Sequence, residues 1–377
     1  MPTWGEILSQ LAAEQEVSGP LAFDIVRRTY LAALSEFTGN CTILYATKWT
    51  VPSNVQPDLL QIVEEDVQGL MEVVHGVDNE KLDLILHSPG GSPEATEAFV
   101  TYLRSKFRFI RVIVPHAAMS AATMLACAAD EIIMGKHSFL GPIDPQMIVP
   151  SQYGAISAPA QAILDQFEMA KKECKDPQLL GSWMPILSQF GPALLVECQE
   201  ALELAKTLVR EWLLEYMFKE EETGGELAAQ AADKLAAHGD WMSHARHISR
   251  DAAEKTLNLR ITYLEDDERL QDLVLSVFHA ASHTFNGTPA VKLIENHLGK
   301  AFIKQHIVQQ MVVPAGPSAR PARSICASPS AAPRTTSTGH STALGNGWGR
   351  GQTSARLPHF SDRLSRRAPR TASCAYN

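Results

Sequence analysis

The chain has 377 residues, 45% of them apolar, and a formal net charge of −9. That is enough apolar side chain to bury a large core, and the acidic balance argues against nucleic-acid binding. The amino terminus, MPTWGEILSQLAAEQE, carries acids and no apolar block of signal-peptide length, and no stretch reaches the roughly 18 uninterrupted apolar residues of a membrane span. A cytoplasmic protein is expected, with peripheral docking on a membrane as the alternative.

In chain order, LDLILH (82–87) predicts a short strand, SPGGSPE (88–94) a turn, and EATEAFVTYLRSKF (94–107) a helix with Phe99, Leu103 and Phe107 on one face. FIRVIVP (109–115) predicts a second strand, broken by Pro115, and SAATMLACAAD (120–130) a second helix. Two such units in succession make a right-handed parallel crossover in an α/β fold, with both turns at the carboxyl edge of the sheet. Ser120 is therefore expected beside the Ser88-Pro89-Gly90-Gly91 turn. AQAILDQFEMAKKEC (160–174), residues 192–220, ELAAQAADKLAAH (226–238) and LQDLVLSVFHAASHTF (270–285) predict amphipathic helices. The six cysteines show no CxxC spacing, which predicts free thiols, with Cys127 in the core.

Composition changes sharply at about residue 312. Residues 312–377 hold nine arginines, no lysine and one acid, Asp362, a net charge of about +8 that leaves about −17 on residues 1–311. Such a segment cannot bury enough apolar area to fold, so a disordered basic tail is expected after a folded domain of residues 1–311. Two readings stay open for it: a basic arm for an anionic surface, or a segment with no structural role, such as a shifted reading frame.

The paired turns carry the chemistry. Amides that open a helix have no intrahelical acceptor, and glycine lets a backbone approach a ligand closely. Converging amides of Gly91 and Ala121 would receive the oxygen that turns negative when Ser120 attacks a carbonyl, a donor worth roughly 3–4 kcal/mol. Either motif alone is commonly just a turn or a helix cap. The pair, in this order, is far more specific.

These residues, together with FDIVRRTYLAALSEFTGNCTILYAT (23–47), IRVIVPHAAMSAATMLACAADEIIMGKHSFLGPIDPQ (110–146) and QDLVLSVFHA (271–280), resemble the Clp protease and crotonase superfold. Within it the chain resembles the signal peptide peptidase A group and, most closely, the serine dehydrogenase proteinases, over about residues 1–311. The resemblance implies a Clp/crotonase-like spiral of repeated β-β-α units with a helical carboxyl-terminal extension, assembled as a homo-oligomeric ring that hydrolyses peptides or proteins. It makes Ser120 the nucleophile and Gly91 with Ala121 the oxyanion donors, supported by Ser88, Pro89 and Gly90. No metal, organic cofactor or nucleic acid is required for that reaction. Ala122 departs from the family's usual glycine and adds a methyl group beside the nucleophile.

A serine needs a base. Where the Clp subunit has its histidine this chain has Asp144, with His137 several residues too early, so a triad at those positions is not expected; His116 and His137 remain candidates in another geometry. Signal peptide peptidases use a lysine roughly fifty residues beyond the serine, and Lys171 and Lys172 fall there. Helical phasing puts Lys171 on the face of Ile163, Leu164, Phe167 and Cys174, whereas Lys172 lies four residues after Glu168, a solvated pair. Lys171 is therefore the expected base, desolvated by an apolar surface; Lys172 is the alternate and Lys175 the third choice. His244, in the turn-helix-strand segment 241–265, is the remaining histidine of interest. Two rival functions use the same fold: an inactive scaffold, and a crotonase-type enzyme stabilising an acyl-CoA enolate.

Overall fold

In the computed structural model, which describes residues 3–52, 54–151, 154–241 and 243–307, the chain opens with helices α1 (Trp4–Ser18) and α2 (Ala22–Thr38). Thr3 and Glu6 form a capping box at the start of α1, and Gly39, at φ +70°, ends α2 in a left-handed turn. The remaining elements are β1 (Cys41–Thr47), α3 (Asp66–Val74), β2 (Lys81–His87), α4 (Pro93–Arg104), β3 (Phe109–Val114), β4 (Ala117–Ala118), α5 (Ala121–Cys127), β5 (Glu131–Met134) and β6 (Phe139–Leu140). A hairpin follows, β7 (Gln146–Ser151) and β8 (Gly154–Pro159), then α6 (Ala160–Glu173), α7 (Pro177–Leu187), α8 (Leu194–Trp212), α9 (Gly224–Ala236) and α10 (His238–Trp241). The described chain closes with β9 (Ile248–Ser249), α11 (Arg250–Lys255), β10 (Ile261–Tyr263), α12 (Glu268–Gly287), β11 (Ala290–Asn296) and β12 (Ala301–Gln305).

Seven strands form the main sheet in the order β10-β5-β3-β2-β1-β11-β12, parallel from β10 to β1 and antiparallel across β11 and β12. Side chains alternate between its faces. Ile43 and Tyr45 of β1, Leu84 and Leu86 of β2, and Val112 and Val114 of β3 join a core with α3, α4, α5, α8 and α9. Leu44, Ala46, Ile85, Ile113 and Ile133 point the other way, to α2 and α12. Burial on both faces explains why these strands read as continuous apolar runs.

The predicted strands and helices of residues 82–130 are present, and both turns lie at the same edge of the sheet, where Ser88 and Ala118 form a parallel bridge. A second sheet, β4-β6-β9, stands at that edge. The β7–β8 hairpin, α6 and the start of α8 form a small core of their own around Ala160, Ile163, Leu194, Cys198 and Leu202. Cys41, Cys127, Cys174 and Cys198 are free thiols; Cys326, Cys374 and the whole predicted tail lie outside the described residues.

Candidate active site

The first turn leaves β2 at His87 and enters α4 through Ser92, whose Oγ accepts the Ala95 amide at 3.1 Å, with Pro93 at the first helical position. Between them, Gly90 has φ +95°, and a Cβ there would lie 2.5 Å from Met119 O and 2.8 Å from both Ala121 N and Ser120 Cβ. This glycine is what lets the two turns touch. A Cβ on Gly91 would lie 2.3 Å from Ile62 O and 2.4 Å from Ile62 N. Ile62 donates to Gly90 O at 2.8 Å and accepts from Ser92 N at 3.1 Å. In that parallel bridge the Gly91 N–H points away from Ile62 and has no intramolecular acceptor among the described residues.

The second turn is strained at its chemical residue. Ser120 has φ 51° and ψ −122°, a conformation usually left to glycine, in a turn closed by Ala122 N donating to Met119 O at 2.9 Å. Holding a serine there costs about 1–3 kcal/mol and projects its hydroxyl from a sharp strand-to-helix corner. Helix α5 behind it is buried along its whole length, Ala122 included, whereas Ser120 is half-buried. The Ala121 N–H, like that of Gly91, has no intramolecular acceptor among the described residues. The turn that touches the strained serine, and the helix that follows it, thus each carry an amide with no intramolecular acceptor among the described residues.

The second sheet brings another pair to this corner. Phe139 pairs with Ser249 and Leu140 with Ile248, and beyond that short ladder Asp144 and His244 come together. Their side chains meet there: His244 Nδ1 lies 2.8 Å from Asp144 Oδ1, with Asp144 buried and His244 about 30% exposed. With Nδ1–H as the donor, Nε2 is the basic nitrogen. Gly141, three residues before Asp144, packs against Met119, with a built Cβ 3.2 Å from Met119 Cα, and its amide donates to Thr123 Oγ1 of α5. Asp144 thus follows by three residues a glycine that packs on the serine turn. Asp144 and His244 each draw attention in the sequence, but a contact across a hundred positions has no local signature.

Lys171 faces solvent. It lies on α6, which packs on α8, α7 and β8, and its side chain is 55% exposed with Nζ 2.7 Å from Glu168 Oε1. The apolar surface expected to desolvate it is absent: Ile163 and Ala170 define the buried stripe, and Lys171 sits about 80° round the helix from Ile163, where a lysine reaches water over the ring of Phe167. Lys172 and Lys175 are exposed too. His137 is exposed, and His116 is half-buried, its imidazole pushed down by burial and by His137 and His247.

His87, the last residue of β2, is buried beneath the serine turns, with ring contacts to Trp49, His116 and Phe278 and with Nδ1 3.2 Å from Ala117 O. Burial, reinforced by His116, pushes its pKa down to about 3, against an ordinary value of 6.5. Between those values the unfolded chain binds the extra proton, so stability should fall as pH drops from about 6.5 toward 3, by on the order of 2 kcal/mol at pH 5 from this residue alone. Urea denaturation at pH 7 and pH 5 checks this; the loss should be smaller in His87→Gln, and an equal loss in that variant would assign the acid sensitivity to other groups.

A mixed sheet with helices on both faces, a small second sheet, and a serine corner facing a double-glycine turn are consistent with a ClpP-like fold. Residues 60–182, which hold both turns, match the family of ClpP-like SDH-type serine proteinases. The chain is 29% identical over 213 residues to the uncharacterized protein MJ0137 of Methanocaldococcus jannaschii, which covers 56% of this chain and 65% of the relative. It is 35% identical over 120 residues to MJ1495 of the same organism, covering 32% and 38%. The chain thus spans less than two thirds of either relative. Among solved structures, a mutant of the 1510-N membrane-bound stomatin-specific protease superposes with a TM-score of 0.33 at 15% identity, covering 56% of this chain and 79% of that one. No helix among the described residues is long and apolar enough to cross a membrane.

Proposed function

We propose that the chain is a serine peptidase acting through an acyl-enzyme on Ser120, with His244 as the general base and Asp144 as the group that orients it. Ser120 Oγ attacks the carbonyl carbon of a peptide bond while His244 Nε2 takes its proton, and the carbonyl oxygen, now negative, accepts from the Gly91 and Ala121 amides. The C–N bond breaks as His244 returns the proton to the leaving amine. Water, losing a proton to the same nitrogen, then attacks the ester; the acid product leaves and Ser120 regains its hydrogen. Asp144 keeps Nδ1–H and carries the imidazolium through each step.

The observation that carries this reading is the direct packing of Gly90 against Ser120, each followed in the chain by an amide, of Gly91 and of Ala121, with no intramolecular acceptor among the described residues. The base is assigned to His244 because it is carboxylate-paired and lies in the turn that leads into β9 of the second sheet, whereas Lys171 is paired to Glu168 in water. The substrate is a peptide or protein. Self-association is part of the proposal, supported by exposed Ile148 and Ile156 on the hairpin and Leu180 and Met184 on α7.

Labelling of the purified full chain with a fluorophosphonate tests it. Ser120→Ala should abolish labelling, and His244→Ala should slow it by roughly 10²–10⁴. Lys171→Ala and Lys172→Ala should label at the wild-type rate. Loss of labelling in a lysine variant, with His244→Ala labelling normally, would return the base to that lysine. A folded wild type that never labels would be a scaffold, and thioester turnover surviving Ser120→Ala would mark a crotonase-type enzyme.

A further inference from the structure

Outside the serine corner, the strongest unexplained feature is a charged cluster buried under α3. Lys292 of β11 and Asp66 of α3 are both fully buried, with Nζ 2.8 and 2.7 Å from the two carboxylate oxygens. Tyr45 Oη donates to Asp66 Oδ2 at 2.7 Å. Lys304 Nζ lies 3.5 Å from Asp66 and 2.9 Å from Glu65. A buried ion pair is a poor way to gain stability, because desolvating two charges offsets most of their attraction. Something other than stability should explain its presence.

Its remaining hydrogen bonds point to one segment. Lys292 Nζ donates to Gln61 O at 2.6 Å, and Asp66 Oδ2 accepts from Val63 N at 3.1 Å. The residue between is Ile62, whose N and O hold Gly90 and Ser92 and whose backbone Gly91 packs against. The ion pair grips the residue on each side, and Ile62 in turn grips the glycine turn.

We propose that Lys292 and Asp66 are positioning residues that set the Gly91 amide through Ile62, so that this donor meets the oxygen developing on a substrate bound at Ser120. The proposal rests on the peptidase reading above. Oxyanion donors act only when held in place before reaction, and an ångström of drift in a supporting strand is enough to lose much of their effect. Neither residue touches substrate; both act through Gln61, Ile62 and Val63.

The charge state gives a readout that a merely structural pair would not move. Burial pushes Lys292 down to about 8, against the opposing pull of Asp66 and Glu65 and with the help of Lys304. Tyr45, the other titratable group on Asp66, is pushed well above its ordinary range and stays neutral. Wild-type labelling by fluorophosphonate should therefore fall as pH rises through about 8, while circular dichroism stays native. In Lys292→Met and Asp66→Asn the rate at pH 7 should be roughly tenfold lower or more, part of the 10²–10³ lost when such a donor is removed outright. The alkaline fall should vanish in Lys292→Met. Glu295→Gln, which breaks a buried pair on the opposite face, should lower melting temperature and leave the rate of the folded protein unchanged.

Wild-type protein that does not label at Ser120 would overturn the peptidase reading itself. Labelling of wild type that stays level to pH 10 would overturn the positioning role alone, even if neither variant folds. So would wild-type rates in folded Lys292→Met and Asp66→Asn.

Discussion

Gly91→Ala should label with fluorophosphonate at least about 10² times more slowly than wild type and lose about 1–3 kcal/mol of stability. The added methyl carbon would lie 2.3 Å from Ile62 O and 2.4 Å from Ile62 N, both backbone atoms of a residue held at either side, so no flexible side-chain end can give way. The turn must move instead. Moving it stretches the bonds from Ile62 N to Gly90 O and from Ser92 N to Ile62 O, and displaces the Gly91 N–H proposed as an oxyanion donor. Gly90→Ala should do the same from the other side, since its Cβ would strike Met119 O at 2.5 Å and its φ of +95° excludes alanine on conformational grounds. Gly39→Ala separates strain from chemistry. Gly39 is also left-handed, at φ +70°, but a Cβ there meets nothing within 4 Å, so the variant should lose about 1 kcal/mol and keep its labelling rate. Thermal melts with labelling rates on the same samples decide it; a folded Gly91→Ala that labels at the wild-type rate would remove Gly91 from the site.

The contrast between Gly90 and Lys171 explains what could be read in advance. Strand β2, the glycine turn, α4, β3 and α5 are contiguous, and each announces itself through branched apolar runs, turn residues and helical spacing. Topology then requires the two turns to share an edge, and the Ser88–Ala118 bridge is that requirement realised. The base is a different problem. Helical phasing fixes which residues share a face but not how far a face is covered, and α6 buries only a narrow stripe through Ile163 and Ala170. Lys171 flanks that stripe and takes the solvated option open to any long cationic side chain. His244 meets Asp144 beyond the two-residue pairing of β6 with β9, and strands that short carry no period to detect. The clamp around Ile62 is equally silent: Lys292 lies more than two hundred positions from Asp66 and Ile62, and a lysine inside the run AVKLI (290–294) reads as an exception until its carboxylate is found.

Glu295→Gln should be among the most destabilising single substitutions away from the candidate site, costing about 3 kcal/mol or more. Arg27 of α2 and Glu295 of β11 are both fully buried and hydrogen-bonded to each other, and Arg27 also donates to Thr284 Oγ1 of α12 at 2.9 Å and to Asp24 at 2.7 Å. The guanidinium therefore ties α2 and α12 to the antiparallel end of the sheet. Burial alone would lower its affinity for a proton, but Glu295 and Asp24 outweigh that and raise it, so the charge stays on at every accessible pH. Neutralising Glu295 leaves that charge buried with only half-exposed Asp24 as its counter-ion, while Arg28, 40% exposed, can turn to water. The cost is thus mainly of stranding Arg27, and it should be relieved by removing Arg27 as well. Arg27→Met with Glu295→Met should be less destabilised than the sum of the two single changes by more than about 1 kcal/mol, measured by urea denaturation at pH 7. Additive losses would mean that each side chain is held by its other partners, and that the helices dock on the sheet through the apolar contacts of Leu31, Leu34 and Val277 rather than through the ion pair.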